Sequence, residues 1–264
     1  MNFELFVFDL DGTLLDNNGV ISSTTRRVLE KIKGQARVSL ATGRSLFSAK
    51  PYIEDLKISE PVILYHGAVV FCPVTHQVLR EIRLCPQSAQ TVLRLAQDFP
   101  VDVQLYRSVD DPRVYVRSIS PNILKFAEKE GLPIDVVSNY EKLAKKGLLK
   151  LLFIGEKEVL AELSMALRDA EVNVVFSEAN YLEVLPPGVS KGTSLAWLCE
   201  RLGIPLERVV AVGDQESDVP MFERVGLGVA MAHAPSAVRQ KAHKTVQDIL
   251  ELHIFLGSWI KHLT

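Results

Sequence analysis

Two aspartates at the end of an apolar segment constrain the fold of this chain more than any other feature of its sequence. Residues 3–8 are almost entirely apolar and run directly into Asp9 and Asp11, which a Gly-Thr turn follows. Large apolar residues before such a turn are typical of a central strand that is covered on both faces, where an ionised carboxylate is costly unless something compensates it. Because side chains alternate along a strand, we expect both carboxylates on the same side, about 6.6 Å apart, with room for one divalent ion between them.

An Asx turn is the alternative explanation for this pair, because Asp and Gly are common where strands end. A second apolar strand, residues 208–212, is also followed by acids, namely Asp214, Glu216 and Asp218. In open parallel sheets, ligands bind beyond the carboxyl ends of the strands. Two strands that deliver acids to those ends therefore favour a functional site over a simple turn.

The length and charge of the chain limit the kinds of protein that it can form. At 264 residues, 47% of them hydrophobic, the chain exceeds what one core usually holds, which indicates a globular protein of two domains. A net charge of −2, from 30 basic and 32 acidic residues without a long basic block, gives no electrostatic footprint for nucleic acid or anionic lipid. The apolar stretches are of strand length and no basic leader begins the chain, so we expect no membrane segment and a cytoplasmic location.

Cysteine and histidine spacing argues against a disulfide framework and against a zinc site. Cys72, Cys85 and Cys199 are widely separated and form no Cys-x-x-Cys pair, so we expect them to be reduced core residues. The six histidines never fall in a His-x-x-x-His or Cys/His ligand pattern. Oxygen atoms are therefore the expected metal ligands.

Strand and helix signals alternate at both ends of the chain, whereas the middle has a different pattern. The order βαβαβ up to residue 84, resumed after residue 186, predicts an α/β fold with a doubly wound, mostly parallel sheet. Residues 85–185 indicate an α+β segment with enough apolar surface for a core of its own. We therefore expect a discontinuous core domain, residues 1–84 and 186–264, and an inserted domain, residues 85–185.

The individual elements follow from caps, periodicity and turn residues. Strands are predicted at residues 3–8, 37–41, 61–65, 68–71, 78–84, 134–137, 148–154, 172–176, 181–185, 209–212 and 228–231, with a hairpin over 101–117. Helices are predicted from Ser22 or Ser23 to Gly34, through 53–56, and at 86–99, 121–130, 156–170, 191–202, 219–224 and 236–242. An amphipathic segment, residues 246–263, closes the chain.

Two further segments carry groups that bind anions. Thr42, Gly43 and Arg44 end a strand with a hydroxyl and a compact turn, whose N–H groups can face an anion at the start of a helix. A plain strand-to-helix turn explains this string about equally well. Lys191 lies at another helix start, and a surface lysine is the default explanation for it. Beside two carboxylate clusters it instead indicates a charge that holds a phosphoryl oxygen and moderates the repulsion between acids.

Four motifs in this order resemble those of the haloacid dehalogenase (HAD) superfamily, specifically the Cof-type phosphatases with a large α/β (type IIB) cap. They are Asp9-Leu10-Asp11-Gly12-Thr13, Ala41-Thr42-Gly43-Arg44, Val189-Ser190-Lys191-Gly192, and Gly213-Asp214 through Asp218. The resemblance covers nearly the whole chain. It implies a HAD-like, Rossmann-type core with an inserted α+β cap domain. The activity implied is that of a Mg²⁺-dependent phosphatase on small phosphorylated metabolites, frequently sugar phosphates, through an aspartyl phosphate.

The same resemblance assigns roles to individual residues. Asp9 would be the nucleophile and Asp11 the general acid and base, while Lys191 and Asp218 would complete the catalytic set. Mg²⁺ would be held by Asp9, by the main-chain carbonyl of Asp11, and by Asp214. The phosphate-binding residues implied are Leu10, Thr42, Gly43, Arg44, Lys191 and Ser217. The inserted segment would close over the site and select the leaving group.

Three positions depart from the family pattern. His66, Ser217 and His233 stand where relatives usually carry Asn. A structural role is favoured over a ligand or proton-donor role for each histidine, because histidine is often partly buried.

Two other functions stay open at the level of sequence. A phosphotransferase or phosphomutase would use the same aspartyl phosphate and pass the phosphoryl group to an alcohol rather than to water. A non-catalytic protein that binds a phosphorylated ligand is the third possibility, but the retained motif carboxylates and Lys191 argue against it. Neither the specific substrate nor the oligomeric state follows from the sequence.

Overall fold

The chain folds into alternating strands and helices at both ends and a strand-rich segment between them. The computed structural model describes residues 3–16 and 18–260. The elements before the middle segment are β1 (Leu5–Phe8), α1 (Ser23–Lys33), β2 (Arg37–Leu40), α2 (Leu46–Asp55), β3 (Val62–Leu64), β4 (Val69–Cys72) and β5 (Gln77–Glu81). Those after it are α7 (Lys191–Leu202), β12 (Val209–Gly213), α8 (Val219–Phe222), β13 (Leu227–Met231), α9 (Ser236–Arg239), β14 (Lys244–Val246) and α10 (Ile249–Ile260).

The middle segment contains its own helices and strands. They are α3 (Pro86–Leu95), β6 (Asp102–Tyr106), β7 (Val114–Val116), α4 (Pro121–Glu130), β8 (Ile134–Val136), α5 (Tyr140–Ala144), β9 (Lys150–Ile154), α6 (Lys157–Ala166), β10 (Asn173–Glu178) and β11 (Tyr181–Leu185). We call the sheet that these strands form the inserted sheet.

A parallel sheet in the order β14-β13-β12-β1-β2 carries the two ends of the chain. Its central strand β1 is buried along its whole length, with Phe6 and Phe8 in one apolar cluster and Leu5 and Val7 in another. This is the two-sided burial that parallel sheets show. Phe8 pairs with neighbouring residues of β12 and β2, so these three strands end at the same level.

The third predicted strand does not continue this parallel ladder. β3 pairs antiparallel with β4 in a separate sheet, β3-β4-β5, and meets the parallel sheet at an isolated bridge between Ala41 and Ile63. Pro61 has no N–H to donate, and its carbonyl accepts a hydrogen bond of 2.6 Å from the hydroxyl of Ser39. A side-chain bond therefore replaces the first rung of the expected ladder.

The inserted sheet has the order β10-β11-β9-β6-β7-β8 and two different faces. One face packs on α3, α5 and α6 through residues such as Leu151 and Phe153. Because side chains alternate along a strand, the other face carries Lys150 of β9, Glu183 of β11 and Tyr106 of β6. Tyr106 belongs to the same apolar cluster as Phe8 of the parallel sheet, so this face packs toward the core.

Most of the predicted elements are confirmed, and several bounds differ. The predicted helices at 121–130 and 191–202 coincide with α4 and α7, whereas α6, α8 and α9 end earlier than predicted. α5 was not predicted. Within the closing segment, Val246 belongs to β14 at the sheet edge and the helix begins at Ile249, while residues 261–263 lie outside the described part of the chain. The division of the chain at residues 84/85 and 185/186 stays a prediction.

The cysteines differ from the expectation that all three are core residues. Cys199 is buried, Cys72 is half-buried and Cys85 is exposed. The prediction is wrong at Cys85 because its sulfur caps α3 by accepting from the backbone N–H of Ser88. No helix in the described ranges is both long and apolar enough to cross a bilayer.

Helices α7 and α8 approach each other at Gly192. A Cβ atom at this position would lie 2.0 Å from the backbone oxygen of Pro220. A methyl group does not fit against a backbone atom at that distance, so the close contact of α7 and α8 requires glycine here. Lys191, the neighbouring residue in sequence, depends on this packing for its position.

We expect Gly192→Ala to destabilise the protein by about 1–3 kcal/mol, because the added methyl group must push the two helices apart. Gly257→Ala is the matched control, since Gly257 is also helical and a Cβ atom on it would have nothing within 4 Å. The control should be neutral or gain up to about 1 kcal/mol from the higher helix propensity of alanine. Urea unfolding measures both. Equal stability of the two variants would contradict the packing described.

Candidate active site

The carboxyl ends of β1, β2 and β12 place three predicted site residues side by side. Asp9 follows β1, Thr42 lies just beyond β2, and Asp214 follows β12. A cavity of about 1250 Å³ opens beyond these ends, and its lining includes Asp9, Asp11, Lys191 and Asp214. The four charged residues on which the predicted chemistry depends therefore converge on one cavity.

Lys191 lies at the first position of α7, behind a capping box formed by Ser190 and Thr193. Its ammonium donates to Oδ1 of Asp9 at 2.8 Å and to Oδ1 of Asp218 at 2.7 Å. Burial alone would lower the pKa of Lys191, but the two carboxylates outweigh burial and raise it. Lys191 is therefore a buried, permanently charged cation between two acids.

Asp218 uses both of its oxygens within the protein. Besides the bond to Lys191, its Oδ2 accepts from the backbone N–H groups of Asp214 at 2.9 Å and Gln215 at 3.0 Å. A Cβ atom on Gly213 would lie 2.3 Å from the carboxyl carbon of Asp218, so glycine is needed for this contact. The carboxylate of Asp218 therefore holds both the loop after β12 and Lys191.

Asp9, Asp214 and Asp218 form a compact group of buried acids, with one oxygen of each lying within 4.8 Å of the others. Burial raises the pKa of Asp9 despite the opposing charge of Lys191, and the neighbouring acids raise it further. Burial, followed by the charge of Asp218, raises the pKa of Asp214 to about 6. Three carboxylates with one ammonium leave a net negative charge, and hard oxygen donors of this kind fit a small divalent cation.

Asp214 is held from two sides within this group. The hydroxyl of Thr13 donates to its Oδ1 at 3.1 Å, and the amide of Gln215 donates to its Oδ2 at 2.8 Å. Gly12 lies so close that a Cβ atom there would be 2.4 Å from Oδ2 of Asp214. The Gly-Thr turn of the first motif therefore fixes an acid of the fourth.

The carboxylate of Asp11 does not face the ion site that strand alternation predicted between it and Asp9. β1 ends at Phe8, and a turn on the carbonyl of Leu10 follows, so alternation no longer applies at residue 11. Arg44 donates to both oxygens of Asp11, each at 2.8 Å. Burial would raise the pKa of Asp11, but the hydrogen bond and charge of Arg44 lower it. In this conformation Asp11 is an ionised carboxylate bound to arginine.

In the turn of Thr42, Gly43 and Arg44, the first and last residues are buried and Gly43 is half-buried. The hydroxyl of Thr42 accepts from the N–H of Arg44 at 3.1 Å, and its carbonyl accepts from the N–H of His66 at 3.0 Å. Arg44 also reaches the inserted segment, where its Nη2 lies 3.4 Å from Oε1 of Glu130. The turn thus joins the parallel sheet to α4.

The remaining predicted residues differ in what they can offer to a ligand. Leu10 is fully buried in the apolar core, so only its backbone is left for binding. Ser217 is buried at the cavity wall, whereas His233 is largely exposed, with Nε2 3.6 Å from Oδ2 of Asp214. The imidazole of His66 is buried, and its Nε2 lies 3.0 Å from Oε1 of Glu183.

None of the charged residues of the inserted segment that line the cavity was predicted, and three of them, Lys150, Glu183 and Glu130, have largely buried side chains. A signal for two of them was present. Lys150 and Glu183 each lie within an otherwise apolar predicted strand, where an unpaired charge would be costly. Charged residues within buried strands need partners of opposite charge, and in the structure Lys150 and Glu183 pair with each other.

Comparison with known proteins gives consistent similarities over most of the chain. A family profile described as haloacid dehalogenase-like hydrolase matches residues 6–251. The 5-amino-6-(5-phospho-D-ribitylamino)uracil phosphatase YitU of Bacillus subtilis is 27% identical over 248 residues, which cover 91% of each chain. The crystal structure of TM0651 from Thermotoga maritima has 32% identity and a TM-score of 0.81, with 97% of each chain covered.

A more distant structure, that of the HAD subclass IIB sugar phosphatase BT4131, has 19% identity. Its TM-score is 0.81, over 97% of this chain and 98% of the other. This likeness shows a shared fold that includes the inserted segment.

We expect Asp214→Asn to stabilise the metal-free protein, and to do so increasingly as the pH rises from about 4 to about 6. The folded-state pKa of Asp214 is about 6 against an ordinary value of 3.8, so in this window the unfolded chain loses a proton that the folded chain keeps. Wild-type stability therefore falls with rising pH relative to the variant.

Urea unfolding in chelator at several pH values measures the difference between the two proteins. Asp169→Asn is the control, because it removes a surface carboxylate whose side chain is 87% exposed. A difference between wild type and Asp214→Asn that stays flat across the window would contradict the assignment.

Proposed function

The chain belongs to the haloacid dehalogenase-like hydrolase family, and from this premise we propose that it is a Mg²⁺-dependent phosphatase of small phosphorylated metabolites. The observation that carries the proposal is the buried bond between Lys191 and Asp9 at the end of the central strand. A carboxylate that is desolvated, yet held by a cation in a cavity of about 1250 Å³, suits a nucleophile.

Asp9 attacks phosphorus in the first step. Lys191 bonds its Oδ1, which leaves Oδ2 to form the new bond. As the Asp9–phosphorus bond forms, the bond from phosphorus to the ester oxygen breaks and the alcohol leaves with a proton. A water molecule then attacks the same phosphorus, releasing inorganic phosphate and restoring Asp9. Splitting one hydrolysis into two displacements makes each step easier.

Asp11 supplies the proton to the leaving alcohol and later removes one from the attacking water. In this structure Arg44 holds the carboxylate in its ionised form, so Asp11 must leave the guanidinium and take up a proton from solvent before it can act as the acid. Glu130, the other acid beside Arg44, can then neutralise the arginine.

Asp9, Asp214 and the main-chain carbonyl of Asp11 would hold the Mg²⁺. Bound there, it would offset the repulsion between an anionic nucleophile and an anionic phosphate, about 4 kcal/mol for unit charges 4 Å apart at an effective dielectric constant of ~20. Lys191 contributes to the same compensation. Asp218 fixes the direction of the ammonium by its own bond to it.

Thr42, Gly43 and Arg44 bind the transferred phosphoryl group together with Ser217 and the backbone of Leu10. The hydroxyl oxygen of Thr42 already accepts a bond from Arg44, so its own hydrogen can be donated to a phosphoryl oxygen. Donors fixed before the reaction cost no reorganisation as charge develops.

Residues 85–185 act as a cap that excludes water and selects the leaving group. The cap side of the cavity combines aromatic rings, among them Phe126 and Tyr181, with the cations Lys129 and Lys157. Sugar and polyol phosphates are the substrate class that we propose. The names of two similar proteins support this choice. YitU is named as a phosphatase of a compound with a phosphoribityl group, and BT4131 is named as a sugar phosphatase.

We expect Asp9→Asn to lower kcat on p-nitrophenyl phosphate with MgCl₂ by about 10³-fold or more, because the amide cannot serve as the nucleophile. Asp169→Asn, a substitution of an exposed surface acid, should keep wild-type activity. Turnover of the Asp9→Asn enzyme at the wild-type rate would refute the nucleophile assignment.

We expect MgCl₂ to raise the thermal midpoint of the wild-type protein, because an ion that binds the folded state alone stabilises it. Asp214→Asn should show little of this rise, since it lacks one of the ligands. Sodium chloride at the same ionic strength controls for screening. An equal rise in both proteins would place the ion elsewhere.

A further inference from the structure

A ring of buried charged and polar groups links the inserted sheet to the turn at Gly43. We propose that Lys150, supported by Glu183 and His66, is a positioning residue that holds Gly43 in the geometry needed to bind phosphate. This inference rests on the proposed function of the same site. None of the three residues is assigned a part in the mechanism above.

Lys150 makes the direct contact between the two parts of the structure. Its ammonium donates to the carbonyl oxygen of Gly43 at 2.9 Å and to Oε2 of Glu183 at 2.5 Å. It also lies 4.6 Å from the ring centre of Tyr106, within cation–π range. With 3% of its side chain exposed, Lys150 is occupied by these partners and is not free to bind a leaving group.

His66 completes the ring on the side of the core. Oε1 of Glu183 lies 3.0 Å from its Nε2, and a Cβ atom on Gly43 would be 2.1 Å from the same nitrogen. The imidazole therefore rests directly on Gly43. Burial lowers the pKa of His66, which favours the neutral imidazole. The ammonium of Lys150 is therefore the cation that balances the carboxylate of Glu183.

The two peptide groups on either side of Gly43 are fixed separately. In the first, the carbonyl of Thr42 accepts from the N–H of His66 at 3.0 Å. The N–H of Gly43 belongs to this same peptide, and in a trans peptide it points the opposite way, away from residue 66. In the second, the carbonyl of Gly43 is held by Lys150. Because glycine rotates freely between its two peptides, one contact could not fix both.

The backbone of residues 65 and 66 is also unusual. Tyr65 and His66 both have positive φ, at 50° and 52°. Non-glycine residues in this region persist when surrounding contacts over-determine them. The hydrogen bond to Thr42 and the contact with Glu183 are such contacts at His66.

Stability alone is a weak explanation for the pair of Lys150 and Glu183. Buried ion pairs are often no better than apolar side chains of the same volume, because both charges lose their hydration. A role in holding Gly43 accounts for why the pair lies at this point of the inserted sheet. The contact of Arg44 with Glu130 adds a second link, so two successive residues of the turn are bound from the insert.

The test compares Lys150→Met with wild type in two measurements made with MgCl₂. Calorimetric titration with inorganic phosphate should show a Kd about 10-fold weaker, as expected for donors that are no longer held in place. On p-nitrophenyl phosphate, kcat should fall by about 10²-fold, since a displacement of ~1 Å is enough for such a loss.

Asp111→Asn is the matched control. Asp111 is a buried acid beside the same sheet, paired with Arg107 and Arg113, and it does not touch the Gly43 turn. We expect this variant to lose stability while its affinity for phosphate stays within twofold of wild type. Loss of phosphate affinity in both variants would overturn the proposal, because any damage to the insert would then suffice.

The double variant Lys150→Met/Glu183→Gln separates positioning from folding. Lys150→Met leaves Glu183 as a buried charge without its cation, which destabilises the protein, and the added Glu183→Gln relieves that cost. Stability should therefore recover in the double variant while phosphate affinity stays low, because no ammonium holds Gly43. Recovery of phosphate affinity together with stability would overturn the proposal.

Amide hydrogen exchange tests the inference without any activity. In phosphate-free protein, Lys150→Met should exchange residues 42–45 at least 10-fold faster than wild type, and Asp111→Asn should not. An unchanged exchange rate for residues 42–45 in Lys150→Met would contradict the proposed role of Lys150, even if the protein is a phosphatase. Conversely, a wild-type protein that neither hydrolyses p-nitrophenyl phosphate nor binds phosphate would refute the proposed function, and the exchange rates would still decide whether Lys150 holds the turn.

Discussion

The buried ammonium of Lys191 is the interaction on which the rest of the site depends. Asp9, Asp214 and Asp218 bring three acids within 4.8 Å of one another in a region where water does not screen them. Lys191 bonds two of these acids directly and is itself placed by the cap of α7 and by the close packing at Gly192. The balance of charge in the cavity therefore depends on the packing of α7 against α8.

The second constraint is that the cavity has walls from two different sheets. The acids and the turn at residues 42–44 follow strands of the parallel sheet, whereas Lys150, Glu183 and Glu130 come from the insert. Each of these three has a charged or polar partner across the boundary or within its own sheet. Charges at a boundary between two packed units favour one relative placement, because any other placement would leave a buried charge unpaired.

Features that depend on short stretches of sequence, such as strand ends and helix caps, were predicted correctly. The convergence of Asp9, Thr42 and Asp214 follows from parallel strands that end at one level, and the bounds of α4 and α7 follow from their caps. The direction of the Asp11 carboxylate did not follow, because Arg44 lies 33 residues away in sequence. The pairing of β14 and the partners of Lys150 escaped prediction for the same reason, while the domain division and the residue roles stay predictions.

The left-handed backbone at His66 has a consequence for how such a chain can diverge. Asn and His are both enriched among the non-glycine residues that occupy this region. The Asn that the family resemblance leads us to expect here and the His of this chain can therefore exchange without rebuilding the loop. A single substitution at position 66 therefore changes the side chain that faces Glu183, while the backbone that supports Thr42 keeps its conformation.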